Sequence, residues 1–525
     1  MGPESLPFVT RRSQKTTQGW RSKHRIRWGY GPDHATLGRR GNLGRPPSSR
    51  SFRKGNTSLK KNPNIILCVC DQLRAFETGC YGNAVVSTPN VDRLAAEGVR
   101  FETAITNFPV CMAARSVLLS SQYNRTGTGG VSNVAHASGG GRFHLPEYPV
   151  AGRPHLKAST LPEILRDAGY HTAAIGKWHL HSWPHDVGFD EYVIPRVHHC
   201  HTSQSFTENG GPEFTPDGYS VDFESARVLR FLQRHRKDET PFFLYYNISP
   251  PHCPVADSPE AYRTRYSPDE ISLRPNVDID RRLEGQDHHF KVYRWDFRYY
   301  DHHLPYTEQL PDGYTLRNLI AEYYGLITWM DDTLGKMLRT LDQTRLAENT
   351  VVVFTSDHGD NLGSHGLVQK GTLNEESIRV PLMLRYPASF PKPSLHTDRV
   401  ASLVDIAPML LTLADAPVPD HFHGRSLLTA SHPQSDPANL AAFVETDAGP
   451  AIRTLTHLYH LPYLPNSRTL AERPAQFFDL ENDPYQLNNL AESTLSDETV
   501  LSGLDRALRA WDRATPWMKE RKGSG

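Results

Sequence analysis

Four apolar runs constrain this chain more than any other feature, because each ends abruptly in residues that carry chemistry. Asn64-Ile-Ile-Leu-Cys-Val-Cys70 leads to Asp71-Gln72, Tyr170-His-Thr-Ala-Ala-Ile175 to Lys177-Trp-His179, Pro241 to Ile248 to a proline-framed His252, and Thr350 to Thr355 to Asp357-His358. Short, nearly continuous apolar runs are the pattern of strands covered on both faces, as in a parallel sheet. Helical signals lie between them. Thr88-Pro89 to Gly98 carries a cap, Pro at the first helical position and a terminal Gly; Thr160-Leu-Pro162 to Gly169 repeats this, and Leu326 to Leu341 is amphipathic. Strands alternating with helices predict an α/β fold around a mainly parallel sheet, with sites outside the carboxyl ends of the strands. Asp71, Lys177, His252 and Asp357 are all placed there.

The chain of 525 residues carries 58 Lys and Arg against 58 Asp and Glu. A net charge of zero gives no global field pointing to nucleic acid, and no apolar run approaches the roughly 18 residues that span a bilayer. Six cysteines in so long a chain read as reduced thiols, with Cys68 and Cys70 on one side of a strand. Met1 to Thr10 lacks the apolar core of a secretory signal, so the expected location is cytoplasmic. Residues 1–61 are basic and rich in Gly, Ser and Pro, which predicts a disordered extension rather than an organellar target. A catalytic domain is expected over 62–435. A C-terminal subdomain with a small antiparallel sheet and a helix from about Asp497 to Trp511 is expected over 436–525. Ser258 to Tyr314 loses periodicity and reads as a lid or binding insertion.

Cys111 opens the helical run Cys111-Met-Ala-Ala-Arg115, where free N–H groups and the helix dipole favour an anion. Arg115 lies one turn on along the same face; a Cys-x5-Arg phosphatase loop would need Arg where Val117 stands. Asp71, Asp357 and His358, converging at one sheet edge, imply a hard or intermediate divalent cation such as Ca²⁺, Mg²⁺ or Mn²⁺.

Cys-x-Ala-x-Arg resembles the sulfatase signature, and Asn64 to Tyr81, Thr88 to Phe101, Gly176-Lys-Trp-His179, Pro251-His252, Ser356-Asp-His-Gly-Asp360, Gln369-Lys370 and Phe477 to Leu490 resemble further motifs of that family in order. The resemblance implies an alkaline-phosphatase-like fold with a smaller C-terminal α+β domain. It implies formylglycine made from Cys111 by a formylglycine-generating enzyme, and one divalent metal, calcium first and manganese or magnesium next, on Asp71, Gln72, residue 111, Asp357 and His358. Arg115, Lys177 and Lys370 would then hold the anion of a small-molecule or carbohydrate sulfate ester, and His179 and His252 would move protons. Gln72 and His358 stand where many sulfatases have Asp and Asn, as in phosphonate monoester hydrolases of the same superfamily; Ala113 replaces the commoner Pro, and Ser120-Ser121 the usual Thr-Gly. A phosphonate or phosphodiester hydrolase is therefore an alternative, and a non-catalytic anion-binding protein with unmodified Cys111 is another.

Overall fold

A computed structural model describes residues 62–133, 148–196, 199–277, 290–295, 309–428, 441–493 and 498–518, together with the backbone of 136–138 and 142–144. The basic extension over 1–61, much of the 258–314 insertion and the stretch around the expected boundary at 435 lie outside these residues.

Sixteen strands are described. They are β1 (Asn64–Asp71), β2 (Val99–Ile105), the short pair β3 (His136–Ser138) and β4 (Arg142–His144), β5 (His171–Gly176), β6 (Glu191–Pro195), β7 (Phe206–Glu208) and β8 (Phe242–Pro251). Then come β9 (Thr350–Ser356), β10 (Arg379–Val380), β11 (Leu382–Arg385), β12 (Ser394–Ser402), β13 (Ala441–Thr446), β14 (Gly449–Thr454), β15 (His457–His460) and β16 (Gln476–Asp479). The centre of a ten-stranded sheet runs β9-β1-β8-β5-β6, parallel throughout. Antiparallel β7 continues one side; on the other, β11 pairs antiparallel with β9 and β2, and β2 also takes β10 and β12. The mixed α/β architecture with a mainly parallel centre is the one the apolar runs predict.

Alternation along β1 divides the core. Ile65, Leu67 and Val69 face one layer with the helices Cys111–Ser120, Leu161–Asp167 and Ile406–Leu413. Ile66, Cys68 and Cys70 face the other, against Pro89–Glu97, Ser220–His235 and Leu316–Thr344. All six cysteines are free thiols. No helix among the described residues is long and apolar enough to cross a membrane. A second, four-stranded antiparallel sheet, β13-β14-β15-β16, packs Ile452, Tyr459 and Phe477 on Leu504, Leu508 and Trp511 of the helix Glu498–Ala514. Its other face, with Val444, Leu458 and Phe478, covers Ile105, Ile378 and Val400 beside β2.

Two local expectations change. The amphipathic helix begins at Leu316, ten residues before Leu326, because Thr315 and Asn318 form a capping box and Leu319, Ile320 and Tyr323 extend its buried face. Thr88 makes no side-chain cap to the helix it precedes. That helix is capped from outside by the Asp331 carboxylate, which accepts from the Val91 N–H at 2.8 Å and from the Asn90 backbone and side-chain amides at 3.1 and 2.7 Å. Asp331→Ala leaves the buried Val91 N–H and the part-buried Asn90 amides without this acceptor and is expected to lower stability by about 1–3 kcal/mol; an unchanged urea midpoint would show that the cap is not needed.

Candidate active site

Strand register builds the site. β1 and β9 pair with Cys70 opposite Ser356, so the residues that follow, Asp71 and Asp357, leave the sheet side by side. On the other flank β8 brings Asn247 opposite Val69 and Gly176, and the next residue after Gly176 is Lys177. Gly176 has φ +94° and a Cβ there would lie 2.0 Å from the Asn247 carbonyl oxygen; at Gly359 a Cβ would lie 2.0 Å from that of Glu376. Both glycines let backbone approach closely beside a functional residue, which explains the Gly-Lys and Asp-His-Gly sequences. The helix Cys111–Ser120 then aims its first residue at the same edge.

Asp71, Cys111, Asp357 and His358 are buried together, each offering one ligand atom within 4.8 Å of the others. His358 Nε2 lies 3.2 Å from Cys111 Sγ, 3.7 Å from Asp71 Oδ1 and 3.6 Å from Asp357 Oδ1. Its Nδ1, 2.8 Å from the Gly359 carbonyl, donates there, which turns Nε2 toward the cluster as metal-binding imidazoles require. Gln72 joins through its side chain. The amide nitrogen donates to Asp360, an acceptor, so Oε1 is the atom that faces inward, 2.9 Å from Lys370 Nζ.

Five cationic or basic groups surround the cluster. Lys177 Nζ is 2.7 Å from Asp71 Oδ2, and Lys370 Nζ is 3.2 Å from Cys111 Sγ and 2.9 Å from His252 Nε2. His252 donates from Nδ1 to the Cys253 carbonyl at 2.6 Å, so its lone pair on Nε2 faces the lysine. Burial, then the Lys370 and Lys177 charges, push its pKa down to about 3. His179, 4% exposed with φ +49°, has neither ring nitrogen hydrogen-bonded except toward the Cys111 thiol. Burial lowers its pKa too. Arg115 is fully buried, and its NH2 group reaches both Asp71 Oδ2 at 2.9 Å and Asp357 Oδ2 at 3.0 Å while NH1 donates to Asn247. Its guanidinium is therefore committed to the two carboxylates.

Those carboxylates are pushed in opposite directions. Burial opposes ionisation of Asp71, but Lys177, Lys370 and Arg115 hold it well below the usual range. Burial and the Asp71 charge push Asp357 up to about 7. Although burial and Asp71 oppose it, Lys177, Lys370 and His358 hold the Cys111 thiol well below its ordinary value. Two apposed carboxylates, an imidazole with an inward nitrogen and an inward amide oxygen suit a divalent cation, and the strain on Asp357 is what such a cation would relieve.

Every residue singled out from the sequence comes to this one place. Several functional neighbours were not foreseen. Asn247 was detectable as a polar residue inside the apolar run from Pro241. His199, which stacks on His252 with centroids 4.0 Å apart and lies 3.1 Å from Lys177 Nζ, sits in a stretch with no pattern. Tyr293 comes from the aperiodic insertion; its hydroxyl donates to Asp360 at 2.6 Å and accepts from the Gln369 N–H at 2.7 Å.

Residues 63–416 match the family described as Sulfatase. The chain belongs to the sulfatase family. Residues 363–513 further match the description "N-sulphoglucosamine sulphohydrolase, C-terminal". An ulvan-active sulfatase of Formosa agariphila is 30% identical over 469 residues, covering 85% of this chain and 80% of the relative. An N-acetylglucosamine-6-O-sulfatase of Bacteroides thetaiotaomicron is 25% identical over 523 residues, covering 88% of each. The crystal structure of the phosphonate monoester hydrolase of Agrobacterium radiobacter superposes with a TM-score of 0.61 at 22% identity, covering 86% of this chain and 96% of that one, a likeness of fold. The enzyme is thus a sulfuric ester hydrolase with the alkaline-phosphatase-like fold that its motifs imply.

Asp357→Asn tests the paired carboxylates. A folded pKa of about 7 lies above the unfolded carboxylate value, so in the cation-free chain this group's contribution to stability falls as pH rises from about 4 to about 7. Asn cannot ionise. At pH 8 in chelator the variant is expected to melt above the wild type, and with a divalent cation that binds the cluster added in excess the order should reverse; a variant melting lower in both conditions would contradict this electrostatic account.

Proposed function

We propose that the enzyme hydrolyses carbohydrate sulfate esters, using formylglycine made from Cys111 and one divalent cation, calcium first, held by Asp71, Gln72, residue 111, Asp357 and His358. The observation that carries this reading is the position of Cys111, which meets the ligand His358 on one side and Lys370 on the other, both at 3.2 Å. A nucleophile there stands between the cation ligands and the groups able to hold a sulfate. When hydrated, formylglycine supplies one hydroxyl for attack and a second whose deprotonation expels sulfate, which a thiolate lacks. A cation held there would supply positive charge that favours an ionised hydroxyl at residue 111 and offsets negative charge on the ester.

The chain's own groups divide the remaining work. Lys177 and Lys370 lie beside residue 111 and neutralise the non-bridging oxygens, in a buried setting where fixed charges act strongly. Arg115 keeps the two aspartates from separating and is a positioning residue through them. Neutral His252 presents a lone pair near residue 111 and takes its proton. His179, unpaired except toward residue 111 and kept neutral by burial in the free enzyme, gains a proton beside the bound sulfate anion, whose charge favours the imidazolium, and gives it to the departing sugar oxygen. Cys111 is 1% exposed, so a formylglycine-generating enzyme must reach it before the chain folds, and must accept Ala113 in place of Pro. The carbohydrate class is supported by the relatives, one of which is an N-acetylglucosamine-6-O-sulfatase.

Mass spectrometry of the tryptic peptide Phe101 to Arg115 should find the aldehyde or its hydrate at residue 111 in active enzyme. A fully active preparation containing only cysteine there would end the proposal. The proton donor is tested by leaving group. His179→Ala is expected to lose about 100-fold or more on a carbohydrate sulfate but much less on 4-nitrophenyl sulfate, whose phenolate departs without a proton; equal losses on both would remove His179 from that role.

A further inference from the structure

Away from the active site, three side chains meet at the amino edge of the sheet. His171 is the first residue of β5, Glu191 the first of β6, and His235 the last of the helix Ser220–His235. His171 Nε2 lies 3.0 Å from Glu191 Oε1, and His235 Nε2 lies 4.0 Å from the same oxygen. The two imidazoles stack with centroids 5.1 Å apart and planes 27° from parallel. One ligand atom from each residue falls within a single 4.8 Å group. We infer that His171, Glu191 and His235 form a second cation site, suited to zinc, that ties β5, β6 and the helix Ser220–His235 together.

The surroundings favour this over an ordinary surface ion network. His235 Nδ1 is 2.8 Å from Asp238 Oδ2 and donates to it, which leaves the lone pair on Nε2 facing Glu191. His171 Nδ1 faces Asp190 Oδ2 at 3.7 Å. A carboxylate behind a histidine is the arrangement that orients imidazoles on zinc and raises their basicity. The space between the ligands already holds positive charge: Arg234 pairs with Glu191 Oε1 and places the same NH2 group 3.4 Å from His235 Nε2. That arginine side chain is 56% exposed, so it can swing into water when an ion takes its place.

Two imidazoles and one carboxylate are a zinc donor set, whereas calcium and magnesium select oxygen, so the two cation sites of this enzyme would differ in metal. The site is also remote. β5 separates His171 from Lys177 by six residues, about 20 Å of extended chain, so the ion would staple the fold and take no part in ester hydrolysis. Zinc and protons compete for the imidazole nitrogens, so occupancy should rise from pH 5.5 to pH 7.5.

The test titrates zinc alone into the full chain against a chromophoric chelator, with calcium in excess. Wild type is expected to take up one equivalent more than His235→Gln, with sulfatase activity equal in both. Asp238→Asn should keep that equivalent but bind it about 10-fold or more weakly, and Arg234→Ala, which removes the competing cation, should bind it more tightly. Equal zinc uptake by wild type and His235→Gln overturns the site. If His235→Gln does not fold, Arg234→Ala decides: unchanged or weaker zinc binding in that exposed variant overturns it equally.

Discussion

Two carboxylates forced together at the end of a sheet are the constraint on which this structure turns. Asp71 and Asp357 are adjacent because β1 and β9 pair in register up to Cys70 and Ser356, and both are wholly buried. Arg115 bridges them, with its NH2 group at 2.9 Å from Asp71 and 3.0 Å from Asp357. Buried like charges side by side are destabilising unless cations face them. The burial of Arg115, the reach of Lys177 across to Asp71 and the inward nitrogen of His358 all answer that requirement. The same concentration of charge suits the site to an ester whose transition state gathers negative charge on its oxygens.

Much of this was visible in the sequence because strand ends are visible. A buried parallel strand is an apolar run with a sharp end, and Asp71, Lys177, His252 and Asp357 each stand just beyond one. Arg115 shows the limit. Its spacing from Cys111 placed it on the correct face, but which anion it would meet depends on the β1/β9 register and on Asn247, which spacing along one helix does not encode. The cap on the helix Pro89–Glu97 was misplaced for a similar reason. Thr88 has a residue type and position that suit capping, yet it is Asp331, 240 residues from Val91 in sequence, whose carboxylate accepts from the Val91 and Asn90 donors. His199 and Tyr293 left no trace because both come from stretches whose conformation is set by the rest of the protein.

Much of the chain from Ser258 to Tyr314 reads as free of the periodicities that a core imposes, and such segments are where substrate preference commonly diverges. Here one of its residues is bound into the chemistry. Tyr293 holds Asp360, Asp360 holds the Gln72 amide, and Gln72 turns its oxygen toward the cluster around Cys111. The segment thus braces, through Tyr293 and Asp360, the amide whose oxygen faces the cluster around Cys111. Divergence of this segment is consequently not free: of the changes that could reshape it, those that displace Tyr293 would be paid for in turnover, so innovation is channelled into the positions around it.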